Sequence, residues 1–499
     1  MATLKVIISS KKNLQNKYGT SFNAVDKLLK DLVVSDGKRG ITTQIVYIDD
    51  ATSASKAGIT KVTTVTRPSA KKAVDELYKK LNPAYITLFG ADDVFPFQEI
   101  KNPANDDDTL VPSDLPYACD NAYSTDISKF TGPTRVVGRI PDIQGLADLE
   151  YLKITFNTII NYKKVKAEKL LDYFAITADV WKKSTQQSLS NMFSNNTNLK
   201  NCPIVVSPHA SSDLKPLIHF YNCHGSPTDS KFYGQKGNNY PTAQHSLHLN
   251  GKISIGTIVA AECCYGAELY DPTNEGTRNW SIANTYFKNK AIAFTGSSTI
   301  SYGPASGNGL ADLITQYFIK NVINGSSSGR ALLEARQKFL SVNGPHLDPY
   351  ELKTLAQFYL LGDPSIQAII EVASNSSSDT VDNRRLNLFN KGLNLAATIA
   401  PSERVDSPLR KSKKVVTEEI KNIFEQTGFS GNEEEVLYEV NSKNRKVDAF
   451  AKGFSGGENI TFRAFIQESQ KVNGTNIFDV LVLKESGKEL LGWKVYSRK

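Results

Sequence analysis

Cysteine, histidine and methionine are scarce, at five, six and two among 499 residues. The cysteines (119, 202, 223, 263 and 264) are odd in number and irregularly spaced, which excludes a disulfide framework. A reducing cytoplasm is the compartment that such usage suits. No stretch reaches the roughly 18 consecutive apolar residues of a membrane span. The apolar run that opens the chain, between Lys5 and Lys11, is too short for a signal-peptide core and reads as a first β-strand. There is no long basic block either. The net charge of +8 is spread thinly, with "RKSKK" (410–414) its densest point, so a nucleic-acid partner is not called for.

The bulk composition, 40% hydrophobic and 22% charged, is that of a globular protein. Strand and helix signals alternate. Short apolar runs at 4–9, 43–49 and 85–90 read as strands, with helical spacing over 21–34 and over 69–81, where Ser69 is the candidate cap. A loop-rich excursion (91–134) precedes a strand at 135–141 and a long helix over 145–164. The rhythm restarts with strands at 172–179, 217–223, 255–262 and 291–297, and helices over 279–288, 308–323, 329–342 and 350–360. This predicts two α/β units, 1–165 and 166–373, built on parallel-rich sheets flanked by helices. A polar linker (374–415) follows, then a small α+β or β-rich domain (416–499) without cysteine or histidine, read as regulatory or partner-binding.

Two strands end on reactive residues. "LIHFYNCHGSPTDS" (217–230) stops at His224-Gly225, and "GTIVAAECCYGAEL" (256–269) stops at Cys263-Cys264. In open parallel sheets function gathers at carboxyl ends of strands, where the backbone is fixed and the side chain free. A thiol beside an imidazole is a nucleophile with a proton carrier. The amides of Gly225 and of the cysteine could hold an oxyanion. Zinc fits poorly, because adjacent strand residues point to opposite faces. Cys119, Cys202 and Cys223 read as small buried hydrophobes.

A strand ending in His-Gly followed by one ending in Cys-x-x-Gly resembles the caspase-like clan of cysteine peptidases. Five further segments resemble its gingipain family in order: "YITLFGADDVFP" (85–96), "SDLPYACD" (113–120), "VVGRIP" (136–141), "SSGRALLEARQKF" and "FYLLGDPSI". The resemblance spans roughly 1–370 and implies a caspase-like fold in two subdomains and endopeptidase activity on protein or peptide substrates. It makes His224 the general acid/base and Cys263 the nucleophile by the Cys-x-x-Gly count. The caspase Cys-x-Gly count selects Cys264 instead. Tyr302 occupies the segment that lines the primary pocket in the family. Asp179 stands where the family carries an acid near the histidine, either to orient His224 or to receive a basic side chain. The resemblance implies no required cofactor and, at most, a structural calcium ion.

Three departures from the family stand out. Glu262 replaces the usual alanine before the nucleophile, and strand alternation points it away from the face of Cys263. The secretion signal and prosegment of secreted members are not seen, and 416–499 does not look like their C-terminal modules. If the preference is for basic residues, "DNRR" (382–385) and "PLRKSKK" (408–414) become candidate self-cleavage sites. A silent caspase-like scaffold is the alternative from another class, but it would need neither His224 nor Cys263. A nucleic-acid-binding effector is a third reading, and it would bind with strong salt dependence.

Overall fold

The short apolar runs assemble edge to edge into one ten-stranded sheet. The structure is a computed structural model and describes residues 3–274, 279–370, 381–404, 416–440, 460–472, 475–487 and 489–499. In spatial order the strands are Ile41–Tyr47, Thr3–Ser9, Tyr85–Phe89, Val137–Ile140, Phe358–Gly362, Ala293–Ser297, Ile258–Ala261, Ile218–Asn222, Tyr173–Ala178 and Leu199–Cys202. Neighbours are parallel except that Phe358–Gly362 runs antiparallel to Ala293–Ser297. The same strand is parallel to Val137–Ile140. The two α/β units therefore share one sheet and run in opposite senses on either side of this strand.

Helices cover both faces, as crossovers between parallel strands require. Phe22–Lys38 buries Val25, Leu29 and Leu32, three of the positions that its spacing selects. The helix expected over 69–81 begins earlier, at Arg67. Thr66 is its cap and Ser69 completes a capping box. The helix expected over 350–360 stops at Gln357, because Phe358–Gly362 is buried along its whole length as a sheet strand.

One arginine ties three of the quoted segments together. Arg139 of "VVGRIP" donates to both carboxylate oxygens of Asp114, at 2.6 and 3.0 Å, and to the carbonyls of Gly90 and Phe95. Its guanidinium lies 3.9 Å from the centroid of the Phe97 ring.

The span read as a linker contains a helix, Val381–Thr398, and a strand, Ala400–Arg404. Its apolar islands find a surface, with Leu388, Leu395 and Ile399 buried. Arg384 of "DNRR" lies in this helix, 2.5 Å from Glu334, while 408–414 lies outside the described residues. Beyond it, a second sheet has seven strands, in the order Tyr302–Gly303, Glu489–Arg498, Thr475–Ser486, Ile460–Val472, Glu434–Val440, Ala400–Arg404 and His346–Leu347. Both of its edges are strands from the first 370 residues. The C-terminal sheet is thus laced into the body that carries His224 and the cysteine pair. Among the described residues no helix is long and apolar enough to cross a membrane.

Candidate active site

Ile218–Asn222 and Ile258–Ala261 are adjacent parallel strands, with Tyr221 opposite Ala261. The Glu262 amide continues the ladder by donating to the Tyr221 carbonyl at 2.9 Å. Strand alternation then sorts the next residues by face. Cys263 goes with Cys223 and Tyr221: the Cys223 and Cys263 thiols interact, and both act on the Tyr221 hydroxyl. His224 and Glu262 go to the other face, and Cys264 follows in the turn after the strand. Arg498 acts on both His224 and Cys264. Of the two rival cysteines, Cys264 turns its thiol to Ser301, and the Cβ of Cys263 lies 3.4 Å from where a Gly225 Cβ would sit.

His224 is held from three sides. Its Nε2 donates to Gln235 Oε1 at 2.6 Å. The Gln235 amide is itself oriented, its Nε2 donating to the Tyr240 hydroxyl at 2.8 Å and to the Gly237 carbonyl at 3.3 Å. The rings of Trp181 and Tyr240 pack on the imidazole at 4.5 and 5.5 Å. With Nε2 carrying the proton, Nδ1 is the basic nitrogen. Burial pushes His224 down to about 4, against the Gln235 hydrogen bond and with help from the Arg498 charge.

Cys264 Sγ accepts from the Ser301 amide at 3.2 Å and lies 3.5 Å from the Ser301 carbonyl. Burial pushes the thiol up to about 11, with Arg498 opposing. The pair is therefore neutral as it stands. Gly225 makes the crossing possible. A Cβ there would sit 1.8 Å from the Cys264 carbonyl oxygen, so any other residue would force the backbone to shift.

Beneath this pair is an acid pocket that the sequence did not reveal. Glu262 and Asp312 are fully buried, and both contact the ammonium of Lys499, Glu262 at 2.5 Å. Glu262 also accepts from Thr315 and Asp312 from Ser184. Burial and the adjacent Asp312 push Glu262 well above the usual carboxylate range, with Lys499 opposing. Burial works against the Lys499 charge, but the two carboxylates outweigh it and raise its pKa. The lysine passes over Gly303, where a Cβ would meet its Cε at 2.3 Å. The Lys499 amide donates to the Ser301 carbonyl at 2.8 Å, and its carbonyl accepts from the Cys264 amide at 3.3 Å.

The remaining expected residues fall differently. Asp179 accepts from Asn201 at 2.5 Å, and Gln235 occupies the position against His224 that was expected of it. Tyr302 is buried beside the cleft, donating to Asp106 at 2.9 Å, and pairs through its backbone with Arg498. Asp106 and Asp108 are both paired with Lys353 at 2.6 Å. Among the described residues no group of three or more histidines, cysteines or acids is placed to hold a metal ion. All five cysteines are free and buried.

Gln235, Ser301 and Asp312 carried no sequence signal. Asp312 sits three residues after Gly309, at the start of Leu310–Ile323, where an acid reads as a helix cap. It does serve as one, accepting from the Gly309 amide at 3.2 Å, while its other oxygen faces the pocket.

No curated protein matches the chain. The family model for peptidase family C25, a cysteine peptidase family, matches residues 21–369. That is most of the chain and includes His224, the cysteine pair, Glu262 and Asp312, and the chain belongs to peptidase family C25, the gingipain family.

Proposed function

We propose that the protein hydrolyses peptide bonds following a lysine, with Cys264 as nucleophile and His224 as proton carrier. The observation that carries this reading is the seating of a lysine in the Glu262–Asp312 pocket with its carbonyl on the Cys264 amide. A substrate lysine in that position would offer its carbonyl carbon to Cys264 Sγ. His224 Nδ1 takes the thiol proton and a C–S bond forms. The oxyanion is held by the Cys264 amide and that of Gly225. The C–N bond then breaks as the imidazolium gives its proton to the leaving amine. Water, deprotonated by the same imidazole, cleaves the thioester and regenerates the thiol.

Cys263 keeps the family's Cys-x-x-Gly spacing, but its face is that of Cys223 and Tyr221. The pair of carboxylates converges on a point charge, which suits an ammonium better than a planar guanidinium. The basic-residue preference that the sequence attached to Asp179 is here assigned to Glu262 and Asp312.

Fluorogenic peptides ending in lysine, arginine or leucine test this reading, with Cys263→Ala, Cys264→Ala and His224→Ala made in the wild-type chain and in a Lys499→Ala background. Cleavage after lysine should vanish with Cys264→Ala and His224→Ala and survive Cys263→Ala. Loss with Cys263→Ala alone would move the nucleophile, and equal cleavage after leucine would remove the pocket's role. No cleavage in either background would overturn the peptidase reading.

A further inference from the structure

We propose that the strand Glu489–Arg498 and Lys499 form an intramolecular ligand bound as a substrate is bound, so that the chain occludes its own cleft and displays the side chains that its subsites accept. This rests on the reading of His224 and Cys264 above.

The backbone is engaged as an added β-strand. Arg498 pairs with Tyr302 and Ser497 with Gly303, antiparallel, and the ladder ends with the Lys499 amide on Ser301. Adding an extended peptide to an exposed edge gives affinity through the main chain and specificity through alternate side chains. Four of its side chains have a counterpart. Lys499 enters the Glu262–Asp312 pocket, with its ammonium 5.7 Å from the Trp181 ring that also covers His224. Arg498 turns to Asp107 at 2.8 Å, on the loop that also supplies Asp106 and Asp108. Tyr496 is buried, donates to Asp348 at 2.8 Å and packs on the Tyr350 ring at 5.9 Å. Lys494 pairs with Glu351.

The match in charge and shape involves four separate elements, and one strand satisfies them in register. A packing surface formed by chance would not need an ammonium beneath the thiol and a carbonyl on its amide. An external substrate needs the same backbone at 301–303 and the same pocket, so the two exclude each other. The subsites that the strand fills define the preferred peptide, with tyrosine three residues before a lysine and arginine immediately before it. The remainder of Glu489–Arg498 is paired along Thr475–Ser486, which fixes the occupant beside its site.

The test uses the full chain with Lys499→Ala, Lys499→Glu and Lys499→Arg, and Arg498→Ala/Lys499→Ala as a second route. Two rates are read: turnover of a Tyr-Ser-Arg-Lys fluorogenic peptide, and alkylation of Cys264 by iodoacetamide, located by mass spectrometry. A ligand held in place at millimolar effective concentration predicts that Lys499→Ala and Lys499→Glu raise both rates by about tenfold or more. Lys499→Arg should raise them less. A synthetic Lys-Val-Tyr-Ser-Arg-Lys peptide should inhibit the Lys499→Ala chain competitively. Equal rates in wild type and variants would overturn the proposal, as would a fall in both rates in all the variants. Faster alkylation with no turnover in any chain would uphold the occlusion and overturn the peptidase reading beneath it.

Discussion

The ammonium of Lys499 lies 2.5 Å from the carboxylate of Glu262, and neither side chain is exposed to solvent. A buried charge pair of this kind is costly unless both partners are satisfied. Here a second carboxylate, Asp312, completes the site, and Thr315 and Ser184 orient the two acids.

Removing half of the acid pair should therefore cost transition-state binding of lysine. In the Lys499→Ala background, Glu262→Gln should lower kcat/KM for a lysyl peptide by about 30-fold, the low end of about 2–5 kcal/mol for losing one buried charged partner. The rate on an uncharged peptide should change little. An equal loss on both peptides would mean that Glu262 supports the fold rather than the selectivity.

Gly225→Ala is the sharpest steric test. Its Cβ would collide with the Cys264 carbonyl oxygen, so the loop must shift and misplace the Gly225 amide. The expected cost is about 1–3 kcal/mol of stability and about 100-fold in turnover, the scale of one lost oxyanion donor. Unchanged kinetics would remove Gly225 from the site.

The βαβ rhythm and the His-Gly and Cys-Cys strand ends were legible because each is a local pattern. Glu262 was legible in part, since alternation already set it apart from Cys263. The pocket was not, because its members come from a strand end, a helix start and the last strand, which only the fold brings together. Asp363 of "GDPS" illustrates the same limit. It reads as a turn residue, and it does cap the turn by accepting from the Ser365 amide at 2.9 Å. It also accepts from Lys5 at 2.7 Å, across the sheet from the first strand.

That lysine lies between two buried acids, Asp36 and Asp363, and Asp36 is also paired with Arg39 at 2.7 Å. Lys5→Met leaves both without it and should destabilise the chain by about 3–5 kcal/mol. Urea unfolding of the two proteins side by side measures this. A difference near zero would show that the acids take up protons at no cost.

Burial pushes His219 down to about 3, against hydrogen bonds to backbone carbonyls. Its folded pKa is depressed, so the unfolded chain binds the extra proton as pH falls below about 6.5. The contribution to stability is full above that pH and is lost progressively on the way down to about 3. Between pH 6.5 and 5, stability should fall by about 1.4 kcal/mol per pH unit more in wild type than in His219→Asn. Parallel pH profiles for the two would contradict the assignment.

The central claim is that Cys264, whose amide holds the Lys499 carbonyl, is the nucleophile. Its most direct test is to treat the Lys499→Ala chain with a chloromethyl ketone built on a Tyr-Ser-Arg-Lys peptide and to map the adduct by mass spectrometry. The account predicts one adduct, on Cys264, absent from Cys264→Ala and retained in Cys263→Ala. An adduct on Cys263 would contradict it.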